Sequence, residues 1–315
     1  MLFRSMAIEH AAVQVVRKPW GVGDLHPWSS IDVAGDPVGE LWFQRTHEHA
    51  AIPALLLKLL FTSEPLSIQV HPDDEFARSI GLPNGKTEAW YVLAAAPGAR
   101  VALGLKRRLT PQALRAAIRD GSIAALTQWR PVAKGDIIYV PAGTIHAIGA
   151  GIVLAEIQQR SDTTFRLFDY GRQRELHEES AVAVSDAGPA QAQSGPRRLT
   201  AARTALITSQ HFVIERIDLP ANSNWALTAN RETWILAIEG RARIGLTNIS
   251  VGDAVFIEGD RTGIEVGADG MSGLMAYPGP DPDAALLQDA GELTKYAGMS
   301  AGEAPKSSET VEVQA

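Results

Sequence analysis

Residues 135–146 read Gly-Asp-Ile-Ile-Tyr-Val-Pro-Ala-Gly-Thr-Ile-His, an apolar segment followed by a Pro/Gly turn and a histidine just beyond the turn. Apolar and β-branched residues bounded by Pro and Gly are typical of a short strand that ends in a turn. A neutral imidazole is a common ligand of zinc and related ions. His146 is therefore a candidate metal ligand.

An earlier stretch, residues 66–91, supplies the other candidate ligands. Gln69 and His71 lie two apart in an alternating apolar run, so on a strand both side chains leave the same face. Glu88 begins a second short strand, residues 88–93. Two imidazoles and one carboxylate, with an amide oxygen from Gln69, leave a position for water or substrate. That ligand set is expected of a catalytic rather than a structural zinc.

Composition limits the kinds of metal site and of partner. The chain has 315 residues, enough for two domains of ordinary size. It has no cysteine, so a metal must be held by His, Asp, Glu or amide oxygen. The formal net charge of −7 argues against a nucleic-acid partner, and an anionic substrate would need a local basic pocket.

The N-terminal region and the hydropathy of the chain bear on its location. No apolar run approaches the roughly 18 residues of a membrane span. Glu9 and His10 stand where a signal peptide would have its apolar core. We therefore expect a cytoplasmic location and no membrane partner.

A helical insertion is predicted between the two ligand-bearing stretches, at about residues 107–130. Thr110 is a good N-cap, Pro111 suits the first helical position, and the apolar stripe that follows stops at Gly121. A second short helix is expected over residues 122–129. The insertion is close enough in sequence to cap the pocket.

The second half of the chain has the pattern of another all-β domain. Residues 186–198 are small, polar and Pro/Gly-rich, as in a linker. Short strands are predicted beyond it, at 212–217, 225–228, 233–238, 241–246 and 254–257. The segment from Gly252 starts like the segment from Gly135 but lacks the turn and the histidine. We expect a catalytic domain over 1–185, a ligand-free domain over 199–299 and a disordered tail over 300–315.

Another possible metal pair, His47 and His49, comes before an apolar run at residues 50–60. That run can be read as a short buried helix or a strand, which leaves the two histidines in a solvated loop.

Several segments resemble the type I mannose-6-phosphate isomerase family, in its short bacterial branch, within the cupin superfamily. Gly135, the Pro141-Ala142-Gly143 turn and His146 are similar to the second cupin motif. Further likeness lies in residues 66–74, 85–91, 140–147, 156–159 and 161–166. Together these segments cover about a third of the chain strongly.

The resemblance implies a fold, a metal and a reaction. The fold is mainly β, with two cupin-type jelly-roll barrels and the small helical insertion. The reaction is the zinc-dependent interconversion of mannose 6-phosphate and fructose 6-phosphate through an enediolate. The family's zinc ligands match Gln69, His71, Glu88 and His146, with one ion per chain, and its active-site arginine matches Arg166. The insertion and the Glu88-Ala89 pair depart from the family pattern. These departures bear on the outer wall of the pocket and so on fine specificity.

Other cations are candidates for contact with a phosphosugar, the expected small-molecule partner. Lys86 lies two residues from Glu88 and points to the same face, as a base, a phosphate contact or a solvated turn lysine. Arg160 and Arg172 are phosphate candidates, although each can also be a surface charge or a carboxylate partner. The sequence makes no prediction of oligomeric state.

Two other functions remain open. An iron-dependent cupin oxygenase would use a two-His, one-carboxylate set, without the later arginine-bearing segment. A non-catalytic sugar-binding cupin would keep the barrel and lose the ligands.

Overall fold

The computed structural model describes residues 8–46 and 51–291. Over these ranges the chain is built mostly from antiparallel strands, so the expectation of a mainly β fold of cupin type is confirmed. The His47 and His49 pair and the tail over 300–315 lie outside the described residues. No helix in the described ranges is long and apolar enough to cross a membrane.

The first half of the chain supplies two sheets and the helices. In chain order its elements are β1 (Ile8–His10), β2 (Ala12–Val22), β3 (Val38–Gln44), β4 (Leu55–Thr62), β5 (Ile68–Val70), α1 (Asp74–Ser79), β6 (Glu88–Ala95), β7 (Arg100–Leu105), α2 (Pro111–Arg119), α3 (Ile123–Leu126), β8 (Thr127–Pro131), β9 (Ile137–Val140), β10 (His146–Ile148), β11 (Ile152–Gln159), β12 (Phe165–Phe168) and α4 (Glu178–Val184). A six-stranded sheet runs β2-β3-β4-β11-β6-β9, and a five-stranded sheet runs β12-β5-β10-β7-β8. Side chains from both sheets, such as Trp90, Leu103 and Ile148, share one core and form the N-terminal barrel.

The second half forms the C-terminal barrel. Its strands are β13 (Arg197–Arg198), β14 (Arg203–Thr208), β15 (Phe212–Leu219), β16 (Asn224–Ala229), β17 (Thr233–Ile244), β18 (Thr247–Ser250), β19 (Ala254–Ile257), β20 (Asp260–Pro278) and β21 (Leu287–Asp289). The long strand β20 pairs with β15, β16 and β17, which curls the ten-stranded sheet around its own apolar core. β1 pairs with β19, so the first described strand belongs to this sheet. The domain limits 1–185 and 199–299 stay a prediction.

Strand β4 lies between the two barrels, which explains its unusual sequence. Its eight residues are all buried. Leu57 and Leu59 pack in a core shared with Trp234 and Leu236 of the C-terminal barrel, while Leu60 faces the interior of the N-terminal barrel. A strand covered on both faces reads as a continuous apolar run. Residues 55–60 of the segment left open as helix or strand therefore form a strand.

Helices α2, α3 and α4 pack on the outer face of the five-stranded sheet. The start of α2 agrees with the sequence: the Thr110 side chain accepts a hydrogen bond from the Ala113 N–H, and Pro111 is the first helical residue. α3 ends at Leu126 rather than at residue 129, because residues 127–131 pair with β7 as strand β8.

Two strand boundaries also differ from the prediction. The Pro and Gly of residues 18–23 predict a turn, but β2 continues to Val22, with a register shift against β3 between Arg17 and Val22. The two short strands predicted at 233–238 and 241–246 are replaced by one strand, β17, which ends at Ile244. Its register shifts on either side of Gly240, whose φ of +69° lets the strand bend without turning back.

Candidate metal centre and adjoining cavity

Three candidate ligands converge inside the N-terminal barrel. His71 follows β5, Glu88 begins β6 and His146 begins β10. β5 and β10 are neighbours in the five-stranded sheet, and β6 comes from the opposite sheet. One ligand atom from each residue lies within 4.8 Å of the others, and all three side chains are buried. The expected meeting of these three residues is therefore seen in the fold.

The atoms that face one another have the donor character that a divalent metal needs. His71 Nε2 lies 3.5 Å from Glu88 Oε2, and His146 Nε2 lies 3.4 Å from Glu88 Oε1. His71 Nε2 and Glu88 Oε2 are buried without a hydrogen-bond partner, although Lys86 Nζ makes an ion pair with that oxygen at 3.1 Å. Buried polar atoms are costly unless bound, so the donor set fits a metal ion.

Backbone carbonyls fix the orientation of both imidazoles. His71 Nδ1 lies 2.8 Å from the Thr163 carbonyl oxygen, and His146 Nδ1 lies 2.8 Å from that of Thr144. A carbonyl only accepts, so each Nδ1 carries the proton and donates it there. Each Nε2 is then left with its lone pair directed at the cluster, which is the arrangement found around metal-binding histidines.

Burial keeps both histidines neutral. Desolvation, with the nearby Lys86 charge, holds the pKa of His71 well below its usual range. Desolvation likewise lowers the pKa of His146 to about 4. Neutral imidazole is the form that binds a metal, so no proton has to leave these rings at neutral pH.

Gln69 stands beside the cluster. It pairs with His146 across β5 and β10, and its Nε2 lies 3.3 Å from His146 Nε2. Its Oε1 accepts a hydrogen bond from Ser67 Oγ at 3.1 Å. The two ends of the amide have the same shape, so the side chain would also fit after a 180° rotation. That rotation would turn Oε1 toward the cluster. Gln69 remains the predicted fourth ligand.

A polar cavity of about 150 Å³ adjoins the cluster, with Gln69 and Lys86 in its wall. Among the described residues, its cationic side chains outnumber its carboxylates. The cations are Lys18, Lys58, Lys86, Arg166 and Arg174, and the carboxylates are Glu40, Glu156 and Asp162. In an acidic protein this is the local basic pocket that an anionic ligand needs.

Comparison with known proteins identifies the family. The chain is 32% identical over 272 residues to mannose-6-phosphate isomerase of Streptococcus mutans, covering 74% of this chain and 86% of the relative. This chain belongs to the mannose-6-phosphate isomerase family. It is also 38% identical over 161 residues to ManA of Bacillus subtilis, covering 48% of this chain and 51% of the relative. No protein-family model matches the chain.

The fold of this isomerase agrees with a solved structure. The Bacillus subtilis mannose 6-phosphate isomerase superposes with a TM-score of 0.75 at 23% identity, covering 86% of this chain and 99% of the other. At that identity the likeness supports the fold. The family membership predicted from the motifs, and the assignment of the chain as an isomerase enzyme, are confirmed by the sequence relatives.

Two predicted cations of this isomerase line the cavity. Arg166 lies on β12 opposite Gln69. Lys86 is buried, which by itself would lower its pKa, but the charges of Glu88, Glu156 and Asp162 outweigh burial and raise the pKa. Lys86 is therefore an ammonium ion in the metal-free protein, a donor rather than a base.

The other two predicted cations, Arg160 and Arg172, do not line the cavity. Arg160 lies one residue past β11, where strand alternation no longer fixes its direction, and it donates to the Leu55 carbonyl and to Gln44. Arg172 donates to the Pro65 carbonyl and to Asp169. Arg174, which the sequence analysis passed over, pairs with the same Asp169 and faces the cavity.

A cluster of charges in the cavity, of which Lys58, Glu40 and Glu156 are buried, was also missed. Lys58 Nζ lies 3.3 Å from Glu156 Oε1, 3.6 Å from Glu40 Oε2 and 3.7 Å from Asp162 Oδ1. Lys58 and Glu156 are direct partners across β4 and β11. Each is a lone charge within an apolar strand, and a buried charge needs a partner. A lone charge within an apolar strand could therefore have pointed to Lys58 and Glu156. Lys18 and His177 also line the cavity, but their sequence context carries no comparable signal.

The helical insertion does not cap the cavity. In the described ranges, no lining residue comes from 107–130. The apolar stripe of α2 packs on the outer face of the five-stranded sheet instead, so the expectation of a cap is wrong.

Proposed function

We propose that this chain interconverts mannose 6-phosphate and fructose 6-phosphate as a zinc-dependent aldose–ketose isomerase. The observation that carries the proposal is the buried His71, Glu88 and His146 cluster, in which two ligand atoms lack a hydrogen-bond partner, beside a cation-rich cavity. The relatives named mannose-6-phosphate isomerase support the substrate. A phosphosugar partner and a cytoplasmic location belong to the same proposal.

Zinc suits the ligands that are present. His71 and His146 would supply nitrogen, Glu88 a carboxylate oxygen and Gln69 an amide oxygen, with one ion per chain. Two neutral imidazoles with oxygen ligands and no thiolate are typical of a catalytic zinc with an open position. When bound, the ion would supply Lewis-acid polarisation of the sugar oxygens at C1 and C2.

The side chains of the cavity can stabilise the charge that develops in the reaction. Moving a carbonyl from C1 to C2 removes a proton beside a carbonyl and creates an enediolate. Lys86 and Arg166 place an ammonium and a guanidinium at the cavity wall. We assign them to hold the negative oxygens, since preorganised cations lower the energy of such a transition state.

Glu156 is the group we assign to proton transfer. It lines the cavity and is almost fully buried. Burial and the Glu88 charge raise its pKa, whereas the Lys58 and Lys86 charges oppose the rise. A carboxyl group whose pKa is raised toward neutrality can take and return a proton efficiently.

Arg174 is our candidate for the phosphate, in place of Arg160 and Arg172. Two hydrogen bonds, at 2.6 and 2.7 Å, hold its guanidinium on the buried Asp169 carboxylate. The side chain is partly exposed at the cavity. A guanidinium oriented in this way can still donate to phosphate oxygens.

The alternatives predict different substrates. An iron-dependent oxygenase would also fit two histidines and one carboxylate, and a sugar-binding module would not turn its ligand over. The purified chain should be assayed with and without chelator on mannose 6-phosphate, glucose 6-phosphate and ribose 5-phosphate, with oxygen uptake recorded in parallel. We expect chelator-sensitive ketose formation from mannose 6-phosphate. Oxygen uptake, or binding without turnover, would select an alternative.

A further inference from the structure

The C-terminal barrel supports the cavity without lining it. Among the described residues, no cavity-lining side chain comes from that barrel. Leu57 and Leu59 of β4 nevertheless pack against Trp234 and Leu236 in the shared core. Side chains alternate along a strand, so Lys58 points from the opposite face of β4 into the cavity. The strand that carries Lys58 therefore rests on the C-terminal barrel.

Glu232 of the C-terminal barrel binds the beginning of this strand. Its side chain is buried, with 6% of the residue exposed. Oε2 accepts a hydrogen bond from the Ala54 N–H at 2.5 Å, and Oε1 accepts one from the Leu55 N–H at 2.9 Å. Trp234 Nε1 donates to the same Oε1 at 3.0 Å and orients the carboxylate. One side chain thus fixes the start of β4 relative to the other barrel.

Arg160, which follows β11, also binds the start of β4. Its N–H donates to the Ala54 carbonyl at 2.9 Å, and its Nε donates to the Leu55 carbonyl at 3.3 Å. Its Nη2 is buried without a hydrogen-bond partner, and its charge interacts with that of Glu232. The end of β11 and the start of β4 are therefore tied together at Glu232.

The pairing of β4 with β11 links this contact to the charged residues of the cavity. Leu55 pairs with Gln159, and three residues further, about 10 Å along the strand, Lys58 pairs with Glu156. We propose that Glu232 is a positioning residue of the isomerase site, which holds Lys58 against Glu156 through β4 and β11. The role of Glu156 in this statement rests on the proposed function.

Hydrogen exchange tests the positioning role without any assay of activity. Glu232→Gln keeps the size of the side chain but replaces one of the two acceptors of backbone N–H groups. The matched control is Glu239→Gln, an exposed carboxylate of the same barrel that pairs with Lys134 of the N-terminal barrel at 2.7 Å. We expect tenfold or faster amide exchange in β4 and β11 of Glu232→Gln and wild-type exchange in the control. Unchanged exchange in β4 would overturn the proposal.

The pH profile of kcat/KM tests whether loosening β4 changes the environment of Glu156. Glu156 pairs with Lys58 of β4, and the charges of Glu40 on β3, of Glu88 at the start of β6 and of Lys86 just before it also act on Glu156. Of these, Lys58 is the cation that moves with β4. In Glu232→Gln the acidic limb of the pH profile of kcat/KM should have its midpoint at a higher pH, because the attraction that stabilises the Glu156 carboxylate is weakened. Lys58→Met should shift the midpoint in the same direction.

A purely structural role gives a different result. Loss of folded enzyme would scale the whole profile without moving its midpoint, so a lower rate with an unmoved midpoint in Glu232→Gln contradicts the proposal. Zinc content should stay at the wild-type level, since none of the four proposed ligands lies on β4 or β11. If the wild-type chain shows no isomerase activity, the proposed function fails, and the exchange comparison alone decides the role of Glu232.

Discussion

Each imidazole of the candidate metal centre is used at both nitrogens: Nδ1 binds a backbone carbonyl and Nε2 faces Glu88. The pairing of His71 and His146 was visible in the sequence, because strand alternation and a Pro/Gly turn fix where those residues point. The carbonyl partner of His71 was not visible, since Thr163 reaches that ring only through the closure of the barrel, whereas Thr144 lies two residues before His146 in the same turn.

Acid should destabilise the metal-free protein through these histidines. The pKa of His146 is about 4 in the folded chain and about 6.5 when unfolded, so between these values the unfolded chain binds a proton that the folded chain does not. The free energy of unfolding should therefore fall as pH drops from about 6.5 to about 4. His146 alone accounts for a loss on the order of 3 kcal/mol.

Urea unfolding of chelator-treated protein between pH 7.5 and 4.5 measures this loss. His146→Gln is the matched variant, because it removes the titrating ring and should show a shallower dependence. Equal slopes for the wild type and this variant would contradict neutral burial of His146.

Arg166 should serve the reaction more than the fold. Its guanidinium donates a long hydrogen bond to the Glu175 carbonyl at 3.4 Å, and the side chain lines the cavity. Arg166→Ala should keep its metal and its Tm while kcat/KM falls on the order of 10²-fold. Arg119→Ala, which removes an exposed guanidinium on α2, is the control and should leave kcat/KM unchanged. Unfolding of Arg166→Ala would show a structural role instead.

At the scale of elements, the β4 and β11 pair should depend on its buried charges. Lys58→Met would leave Glu40 and Glu156 without their shared cation, at a cost of about 3–5 kcal/mol in the free energy of unfolding. Adding Glu156→Gln should recover part of that loss, because one uncompensated charge is gone. Urea unfolding of the two single variants and the double variant forms a mutant cycle. Additive effects would mean that Lys58 and Glu156 do not interact.

Local signals predicted some elements better than others. The Thr110 cap and Pro111 located the start of α2, and the turn at Pro141 located the end of β9, because both depend on neighbours in sequence. Residues 127–129 were predicted as helix yet form β8, since pairing with β7 outweighs their local preference. The contacts of Arg160 with β3 and β4 could not be predicted either, because they join residues far apart in sequence.

For the whole molecule, the number of barrels could be predicted but their packing could not. Turn-punctuated strands indicated a second barrel. The shared core needs a face of β4 and β6 to meet a face of β15, β17 and β20, and that choice depends on the complete fold. The pairing of β1 with β19 also crosses almost the whole chain, beyond any local pattern.

The charge of the whole molecule leads to a prediction about the substrate. With a net charge of −7, the protein repels a phosphosugar except where the cavity cations face it. Mannose 6-phosphate should be preferred strongly over mannose, with losses in both kcat and apparent affinity for the free sugar. The preference should weaken as salt screens the charges. Steady-state kinetics at two ionic strengths measure it; equal kcat/KM for the two sugars, without salt dependence, would mean that no phosphate is recognised.

The central claim, that one zinc ion at His71, Glu88 and His146 supports isomerisation of mannose 6-phosphate, is tested most directly by titrating metal-stripped protein with zinc. Fructose 6-phosphate formation and bound zinc should be measured together, in the wild type and in His146→Ala, with His10→Ala as an exposed control. We predict that activity rises linearly and stops at one equivalent in the wild type and the control, while His146→Ala retains neither zinc nor activity. Full activity in the stripped protein, or a plateau at two equivalents, would contradict the claim.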